Sequence, residues 1–398
     1  MNVFADHPRA RWAVPTGVLV AIAAGGMVAN QAASASPDLA PRSAAQLLVD
    51  VQKARLSGLS GTVVQTSNLG LPDLPGISSG SGLGGGSSSL TSMVSGTHTW
   101  RLWYAGQDEA RIALLGSLGE SDVVRNGRDL WVWSSKDKTA SHTVLAQGQH
   151  HAALSPSELP VTPQAAADQA LAALGPTTTV TTSGSGNVAG RDAYELVLTP
   201  KRGAQGKATT LVRQVRIAVD AAEHVPLRVQ IYSTRSANPA FEVSFSQVDF
   251  AKPDASTFSF NPPPGTSVTQ SSQGAATPMG TATSKSAAAA KAAATGAKDS
   301  TKTVGTAWST VVVGKVPAQL GTLGSPAAPG ATGTKTPSSD RTSRQLQVLL
   351  RSLPRISGAW GSGRLLNGTL FSVLLTDDGR FAVGAVPPAQ LIAALTAK

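Results

Sequence analysis

The arrangement of hydrophobic and polar positions predicts two short helices, each followed by a run of strands. The first helix is predicted over residues 43–55, where Ser43 and Gln46 fit a capping box and four apolar residues recur on one helical face: Leu47, Leu48, Val51 and Ala54. The second is predicted over residues 162–174, with Thr162 as its N-cap.

Short runs of alternating hydrophobic and polar residues, separated by turn signals, follow each helix and predict antiparallel strands. After the first helix they lie at 62–66, 97–105, 109–115, 121–125, 129–134 and 139–145. After the second helix they lie at 193–199, 212–219, 227–233 and 241–250. Because roughly ten strands accompany only two helices, the pattern favours an α+β fold, a strongly curved antiparallel sheet (half-barrel) with helices covering its concave face.

A small αβ module is predicted at the C-terminal end, over residues 304–398. Its strands are predicted at 308–313, 365–366, 370–376 and 381–386. Two helices are predicted beside them, an amphipathic one over 343–353 and a short last one from Pro387. Since so few elements barely make a domain, we expect the module to dock on the main sheet or on a partner.

The N-terminal residues 1–35 have the pattern of an export signal. Arg9 and Arg11 precede an apolar stretch over 12–28, and Ala33-Ser34-Ala35 supplies the small residues at which signal peptidases cut. The apolar stretch also approaches the length of a membrane span, so a retained N-terminal membrane anchor is the alternative to cleavage. Either way, the body of the protein is expected to be extracytoplasmic, secreted or anchored to the cytoplasmic membrane.

Two low-complexity segments interrupt the predicted elements. A Gly/Ser-rich insertion at 68–96 lies within the main domain, residues 36–269, and is interpreted either as disordered or as a flap over a cavity mouth. Residues 270–303 are rich in Ala, Ser, Thr and Lys and are interpreted as a linker to the C-terminal module.

Candidate chemistry is largely excluded by composition and context. The absence of cysteine excludes a cysteine nucleophile, a thiolate metal site and a lipid-modified N-terminal cysteine. The string Gly76-Ile77-Ser78-Ser79-Gly80 lacks the strand and helix that flank a nucleophile elbow. Ser135 and Lys138 have the Ser-x-x-Lys spacing of penicillin-interacting enzymes, but they lie in a polar loop. Acidic residues are scattered, and no pair of carboxylates with a perturbed member is expected. We therefore expect no enzyme activity, no catalytic residue, no metal and no cofactor.

Aromatic and aliphatic residues on the predicted strands are more informative. Alternation places Trp100, Leu102 and Tyr104 on one face with Trp103 on the other, so both faces of the sheet are partly apolar. These residues are interpreted either as ordinary core or as the lining of a cavity for an acyl chain. The proposed ligand-binding residues are Trp100, Leu102, Tyr104, Ile112, Leu114, Trp131, Trp133, Leu196, Leu198, Val229 and Ile231.

Three motifs, in their order along an exported chain, resemble the LolA-like lipoprotein carriers and the related RseB (MucB)-like regulators, here with the Ala- and Gly-rich composition typical of actinobacteria. They are the run from Arg125 to Trp133, the hairpin from Val219-Asp220 to Leu227-Arg228, and the closing Phe258-Ser259-Phe260-Asn261-Pro262-Pro263. The resemblance implies a half-barrel whose apolar cavity takes the acyl chains of lipids or lipoproteins without catalysis. RseB-like members add a C-terminal domain and bind a membrane-anchored anti-sigma factor, which gives the alternative function, a regulator of envelope stress signalling.

The two modules differ in net charge. Residues 36–272 contain 18 Lys and Arg against 18 Asp and Glu, whereas residues 273–398 contain 13 against 4. The C-terminal excess is interpreted as a solvated tail or as a surface for an anionic membrane, a wall polymer or an acidic partner, carried by Arg341, Arg344, Arg351, Arg355 and Arg364. Nucleic acid is not expected as a partner, because the aromatic residues lie away from the basic clusters.

Overall fold

The computed structural model describes residues 38–70, 96–116, 119–145, 162–172, 177–203, 209–271, 301–315 and 352–396. Within these ranges lie three helices, α1 (Ala44–Lys53), α2 (Pro163–Ala172) and α3 (Pro388–Thr396). The strands form two separate sheets, one of twelve strands and one of six.

The large sheet takes its strands from both halves of the main domain. The first half supplies β1 (Leu59–Ser67), β2 (Gly96–Tyr104), β3 (Glu109–Gly116), β4 (Gly119–Asn126), β5 (Asp129–Ser134) and β6 (Thr139–Val144). The second supplies β7 (Thr178–Val188), β8 (Arg191–Pro200), β9 (Val212–Asp220), β10 (Pro226–Ser233), β11 (Pro239–Asp249) and β12 (Ser267–Ser271). Their order across the sheet is β12-β6-β5-β4-β3-β2-β1-β11-β10-β9-β8-β7.

A crossover segment, residues 250–266, explains the one parallel pair in this sheet. All neighbouring strands are antiparallel except β6 and β12. After β11 the chain crosses one face of the sheet, where its 3-10 turn Ala255–Phe258 packs on β3 and β4. It then reaches the far edge of the sheet and adds β12 beside β6. Phe258 of this segment is buried, with 1% of its surface exposed.

In the second half of the sheet, strands that are not neighbours approach each other. Strands β7 and β11, four places apart in the sheet order, are in contact. The guanidinium of Arg191, at the start of β8, lies 4.7 Å from the ring centroid of Phe250, directly after β11. The antiparallel α+β fold with a separate small sheet is confirmed, while the half-barrel and the helices on its concave face stay predictions.

The two faces of the sheet can be assigned from strand register. We call inner the face that carries Phe245, Val63, Trp100 and Leu114, which lie directly opposite one another on β11, β1, β2 and β3. The hydrophobic core lies on this face, together with Leu47 and Val51 of α1. Helix α1 contacts β7, and α2 contacts β10 and β11. The opposite face, which the crossover segment covers in part, is the outer face.

Both predicted helix starts in the main domain are confirmed. Ser43 and Gln46 form the reciprocal capping box, in which each side chain accepts a hydrogen bond from the other residue's backbone N–H. At α2 the Thr162 hydroxyl accepts from the N–H of Ala165 at 3.1 Å.

The small sheet begins at Thr301, inside the predicted linker. Its order is β13-β14-β18-β17-β16-β15, with β13 (Thr301–Val304), β14 (Val311–Lys315), β15 (Arg355–Gly358), β16 (Gly361–Asn367), β17 (Ser372–Thr376) and β18 (Arg380–Gly384). Helix α3 packs on one face, where Leu391 joins a core with Leu374 and Ala382.

The small sheet docks on the main domain, as expected. The N–H of Leu211 donates to the carbonyl of Ala385 at 2.7 Å, and the buried hydroxyl of Ser233 donates to the carbonyl of Thr369 at 2.6 Å. The Trp308 indole N–H donates to the Thr178 hydroxyl at 2.8 Å. These bonds join the module to both β7 and the ends of β9 and β10.

Four strands have no counterpart in the prediction: β7, β12, β13 and β15. Strand β7 is mostly Thr, Ser and Gly and is largely exposed at the sheet edge, so no hydrophobic alternation marks it. Residues 1–35, most of the insertion at 68–96 and nearly all of the helix predicted over 343–353 lie outside the described residues. Among the residues that are described, no helix has both the length and the hydropathy to cross a membrane.

Among the described residues of the main domain, Asp220, the last residue of β9, is the buried charge that makes the most hydrogen bonds. It is 1% exposed, pairs with Arg191 and accepts from the backbone N–H groups of Ala222 and Glu223 at 2.9 and 2.7 Å. Burial raises the pKa of Asp220, but the hydrogen bonds from Arg191 and from those two N–H groups outweigh it, so the net pKa is lowered.

We expect Asp220→Asn to lower the free energy of unfolding by about 3 kcal/mol, because Arg191 loses its charged partner. Since the pKa of Asp220 is lowered in the fold, its contribution is present above the unfolded pKa of about 3.9 and is lost as the pH falls further. Urea unfolding at pH 7 and pH 3 measures this difference. The exposed Asp192→Asn on β8 is the control, and an equal loss in both variants would contradict the assignment.

Candidate functional site

Nine of the eleven proposed ligand-binding residues lie together on the inner face. Eight of them are buried in the core, and Ile231 packs against it half-buried. Register joins them directly: Leu102 lies opposite Ile112, Leu196 opposite Ile217, and Ile217 opposite Val229. The structure thus brings residues from both halves of the chain onto one apolar surface.

The helices cover only part of this surface. Twelve strands span about 50 Å across the sheet, whereas a helix of ten residues is about 15 Å long and about 10 Å wide. The contacts of α1 and α2 with the sheet fall on β7, β10 and β11. On β5, at the other end of the sheet, the inner-face residues Leu130 and Val132 are only half-buried.

Trp131 and Trp133 do not belong to this surface, and their assignment to the same face as Trp100 is wrong. Trp131 lies opposite Val124, and the same row of side chains across the sheet continues to Trp103 on the outer face. Trp133 lies opposite Asp122, and that row continues to Arg101 on the outer face. The two tryptophans pack on the crossover segment, with ring centroids 5.3 and 6.1 Å from that of Phe260. Trp131 and Trp133 share one face of β5, as predicted, but the register between strands makes that face the outer one.

Among the described residues, Trp100 is a buried inner-face residue whose side-chain donor has no hydrogen-bond partner. Its side chain is 1% exposed, and its indole N–H has no acceptor among the described residues. Its neighbours in the row across the sheet are Val63 and Leu114, which offer no side-chain acceptor. A buried N–H without a partner costs free energy, so this position favours a polar atom from outside the described core.

The outer face holds a carboxylate pair that the sequence analysis did not anticipate. Glu120 and Asp122 lie two residues apart on β4 and so share a face. Asp122 is 1% exposed; its Oδ2 accepts from Arg111 at 2.5 Å, while its Oδ1 has no donor among the described residues. Burial, followed by repulsion from Asp122 and a hydrogen bond with it, raises the pKa of Glu120. Glu120 therefore holds its proton to a higher pH than a free glutamate does.

The expectation that no two carboxylates pair is therefore wrong. The signal was present in the sequence as acidic residues at alternate positions of a strand, Glu120 and Asp122. Arg111, which pairs with Asp122, also donates a hydrogen bond to the carbonyl of Thr257 in the crossover segment, at 3.5 Å. The pair thus lies in the contact that holds the crossover segment on the sheet.

Of the predicted basic surface only Arg355 and Arg364 lie among the described residues. They lie directly opposite each other on β15 and β16. Arg355 pairs with Asp377 at 2.6 Å, and Arg364 donates to the carbonyl of Leu353 at 3.1 Å. Both side chains therefore make structural contacts, and the surface role of the five arginines stays a prediction.

The motifs considered for catalysis gain no support. Residues 76–80 lie outside the described part of the chain, and Ser135 lies in the turn between β5 and β6, where its hydroxyl accepts from the N–H of Glu120 at 2.7 Å. In the described ranges no three His, Asp or Glu residues come together as metal ligands do.

Comparison with known proteins gives structural matches only. No protein-family model and no curated protein matches the chain. The MucA/MucB complex of Pseudomonas aeruginosa matches with a TM-score of 0.39 and 15% identity, covering 88% of this chain and 96% of that chain. A LolA superfamily protein from Nitrosomonas europaea matches with a TM-score of 0.22 and 10% identity, covering 55% of this chain and 99% of that chain. Lipoprotein LppX from Mycobacterium tuberculosis matches with a TM-score of 0.26 and 10% identity, covering 51% of this chain and 91% of that chain. LolA-like and MucB-like proteins are the groups that the sequence resembles.

We expect Glu120→Gln to stabilise the protein at pH 7 and to change little at pH 4. The folded state holds the Glu120 proton more tightly than the unfolded state does, so this residue costs stability as the pH rises above about 4.3, whereas the Gln amide donates at every pH. A rise in Tm of about 2 °C at pH 7 is expected. Thermal unfolding followed by circular dichroism measures it.

The exposed Glu223→Gln serves as the control for charge removal alone. A Tm that falls in Glu120→Gln at pH 7, or that rises equally in both variants, would contradict the raised pKa of Glu120.

Proposed function

We propose that this protein is a non-enzymatic, extracytoplasmic binding protein that takes acyl chains of lipids or lipoproteins on the inner face of its large sheet. The location follows from the export pattern of residues 1–35. The ligand class follows from the resemblance to LolA-like carriers and from the apolar character of the inner face. Residues on that face are the proposed binding residues, with Trp131 and Trp133 removed from the set.

The observation that carries the proposal is the extent of the apolar inner face beyond its helices. Buried Ile112 and Leu102 continue across β4 and β5 to half-buried Val132, far from the strands that α1 and α2 contact. Each methylene of an acyl chain buried there would contribute about 0.8 kcal/mol. The indole N–H of Trp100 on the same face, which has no acceptor among the described residues, supplies a donor for an ester or carboxyl oxygen.

We expect Val132→Glu to weaken the uptake of a fluorescent fatty acid at least tenfold, because an ionised side chain on the acyl path must lose its water or repel the chain. The matched control is Val144→Glu, which lies on the outer face of the adjacent strand β6 at 44% exposure. Uptake is measured by fluorescence titration of the full-length protein, and folding by circular dichroism.

Native mass spectrometry of the wild-type protein supplies an independent arm, since copurified lipid is expected. A protein that is empty in every preparation and takes up no fatty acid would overturn the proposal. Equal loss of uptake in Val132→Glu and Val144→Glu would show that the inner face is not the path.

The alternative function is that of a regulator that binds a membrane-anchored anti-sigma factor through the C-terminal module. The observation that favours it is an apolar row on the face of the small sheet opposite α3. Val312, Val383, Val373 and Leu366 lie directly opposite one another and are half-exposed. A row of this kind is typical of a protein interface.

We expect a photo-crosslinking amino acid at Val383 of the full-length protein, in intact cells of the native host, to capture a single-pass membrane protein with a sigma-factor-binding domain. The same amino acid at Val144 is the control and should not capture it. If Val383 captures no membrane protein, or if both positions capture the same set, the regulator function is contradicted.

A further inference from the structure

The outer face carries a trough that neither the core nor the crossover segment uses. Three strands, β11, β1 and β2, place six side chains there in two rows across the sheet. One row joins Asp249, Ser60 and Trp103, and the other joins Gln247, Thr62 and Arg101. The middle strand carries only the short hydroxyl side chains, so the longer side chains of β11 and β2 form two walls.

The dimensions of this trough suit a small organic ring. Its walls stand two strand spacings apart, about 9.6 Å between backbones. The residues enclose an open pocket of about 300 Å³. That volume is at the lower end of the range for small-molecule sites, about 300–1,000 Å³.

A bulge separates the trough from the regular sheet. Thr62 pairs with Gln247 and Val63 with Phe245, so Ser246 is an extra residue on β11. Its hydroxyl donates to the carbonyl of Thr62 at 3.2 Å. Bulges re-aim side chains on a strand, and here Gln247 and Asp249 follow the bulge.

The lining carries unused donors and acceptors but no net charge. Among the described residues, the side chains of Ser60, Thr62, Gln247 and Arg101 make no hydrogen bond to protein. Asp249 accepts one bond, from the N–H of Ala251 at 2.9 Å. The guanidinium and the carboxylate occupy diagonally opposite corners, so the trough offers both strong donors and a strong acceptor while its formal charges cancel.

Trp103 is held in place from the side away from the trough. The guanidinium of Arg111, opposite Trp103 on β3, lies 5.4 Å from its ring centroid. Arg111 is itself fixed by Asp122 and by the carbonyl of Thr257. A fixed aromatic wall reduces the entropy that ligand binding must offset.

We propose that this trough binds a neutral saccharide, one or two rings of a glycan, independently of the acyl-binding face. Vicinal hydroxyl groups both donate and accept, which matches the alternating Arg101, Thr62, Ser60 and Asp249. The apolar C–H face of a sugar ring matches the Trp103 wall. A charged ligand would leave either Arg101 or Asp249 facing a like charge.

Isothermal titration calorimetry of the full-length protein tests this with cellotetraose, chitotetraose, maltotetraose and glucuronic acid. We expect at least one neutral tetrasaccharide to bind with a Kd on the order of 1 mM or tighter. Trp103→Ala should weaken it about tenfold and Trp103→Phe should restore part of the loss, because a ring can still stack. Thr97→Ala, on the same strand and face, is the matched control and should bind as the wild type does.

Thr62→Tyr gives a second variant that does not depend on removing a half-buried tryptophan. A tyrosine is favoured in strands and fills the trough floor, so the protein should fold and lose saccharide binding. The proposal is overturned if no neutral saccharide binds below about 10 mM, if glucuronic acid alone binds, or if binding survives in both Trp103→Ala and Thr62→Tyr. Because acyl uptake is measured on the other face, either proposal can fail without the other.

Discussion

The alternation of side chains along hydrogen-bonded strands is the constraint on which this structure depends. In a sheet of twelve strands the register of each pair of strands decides which residues share a face. A register shift of one residue moves every side chain of a strand to the opposite face. Trp100, Leu102 and Ile112 on the inner face join Leu196 and Val229 from the second half of the chain. Their neighbours in sequence, Arg101, Trp103 and Arg111, build a polar and aromatic outer face.

The crossover segment turns part of that outer face into a second interface. Phe258 and Phe260 pack over β3, β4 and β5, where Trp131 and Trp133 meet them. A buried carboxylate, Asp122, is tolerated there because the guanidinium of Arg111 pairs with it. The trough lined by Trp103 and Arg101 lies beside this contact, because Arg111 touches both the Trp103 ring and the carbonyl of Thr257.

Hydrogen bonds connect the small sheet to the large sheet. Hydrogen bonds from Leu211 and Ser233 to carbonyl groups of Ala385 and Thr369 join the small sheet to the strands that carry the inner-face core. These bonds place the small sheet beside the ends of β9 and β10, two strands that carry inner-face residues.

The sequence by itself determined the local features. Capping residues Ser43 and Thr162 set the helix starts, and alternation set most strands, because both depend on contacts within a few residues. Most of the inner-face residues were also identified, since large apolar residues at alternate positions must be buried. Only the tertiary structure decided which strands share a face, that Trp131 and Trp133 meet Phe260, and that Ser60, Trp103 and Asp249 form one row. Those outcomes depend on register between strands far apart in sequence, and on a crossover whose path no local pattern encodes.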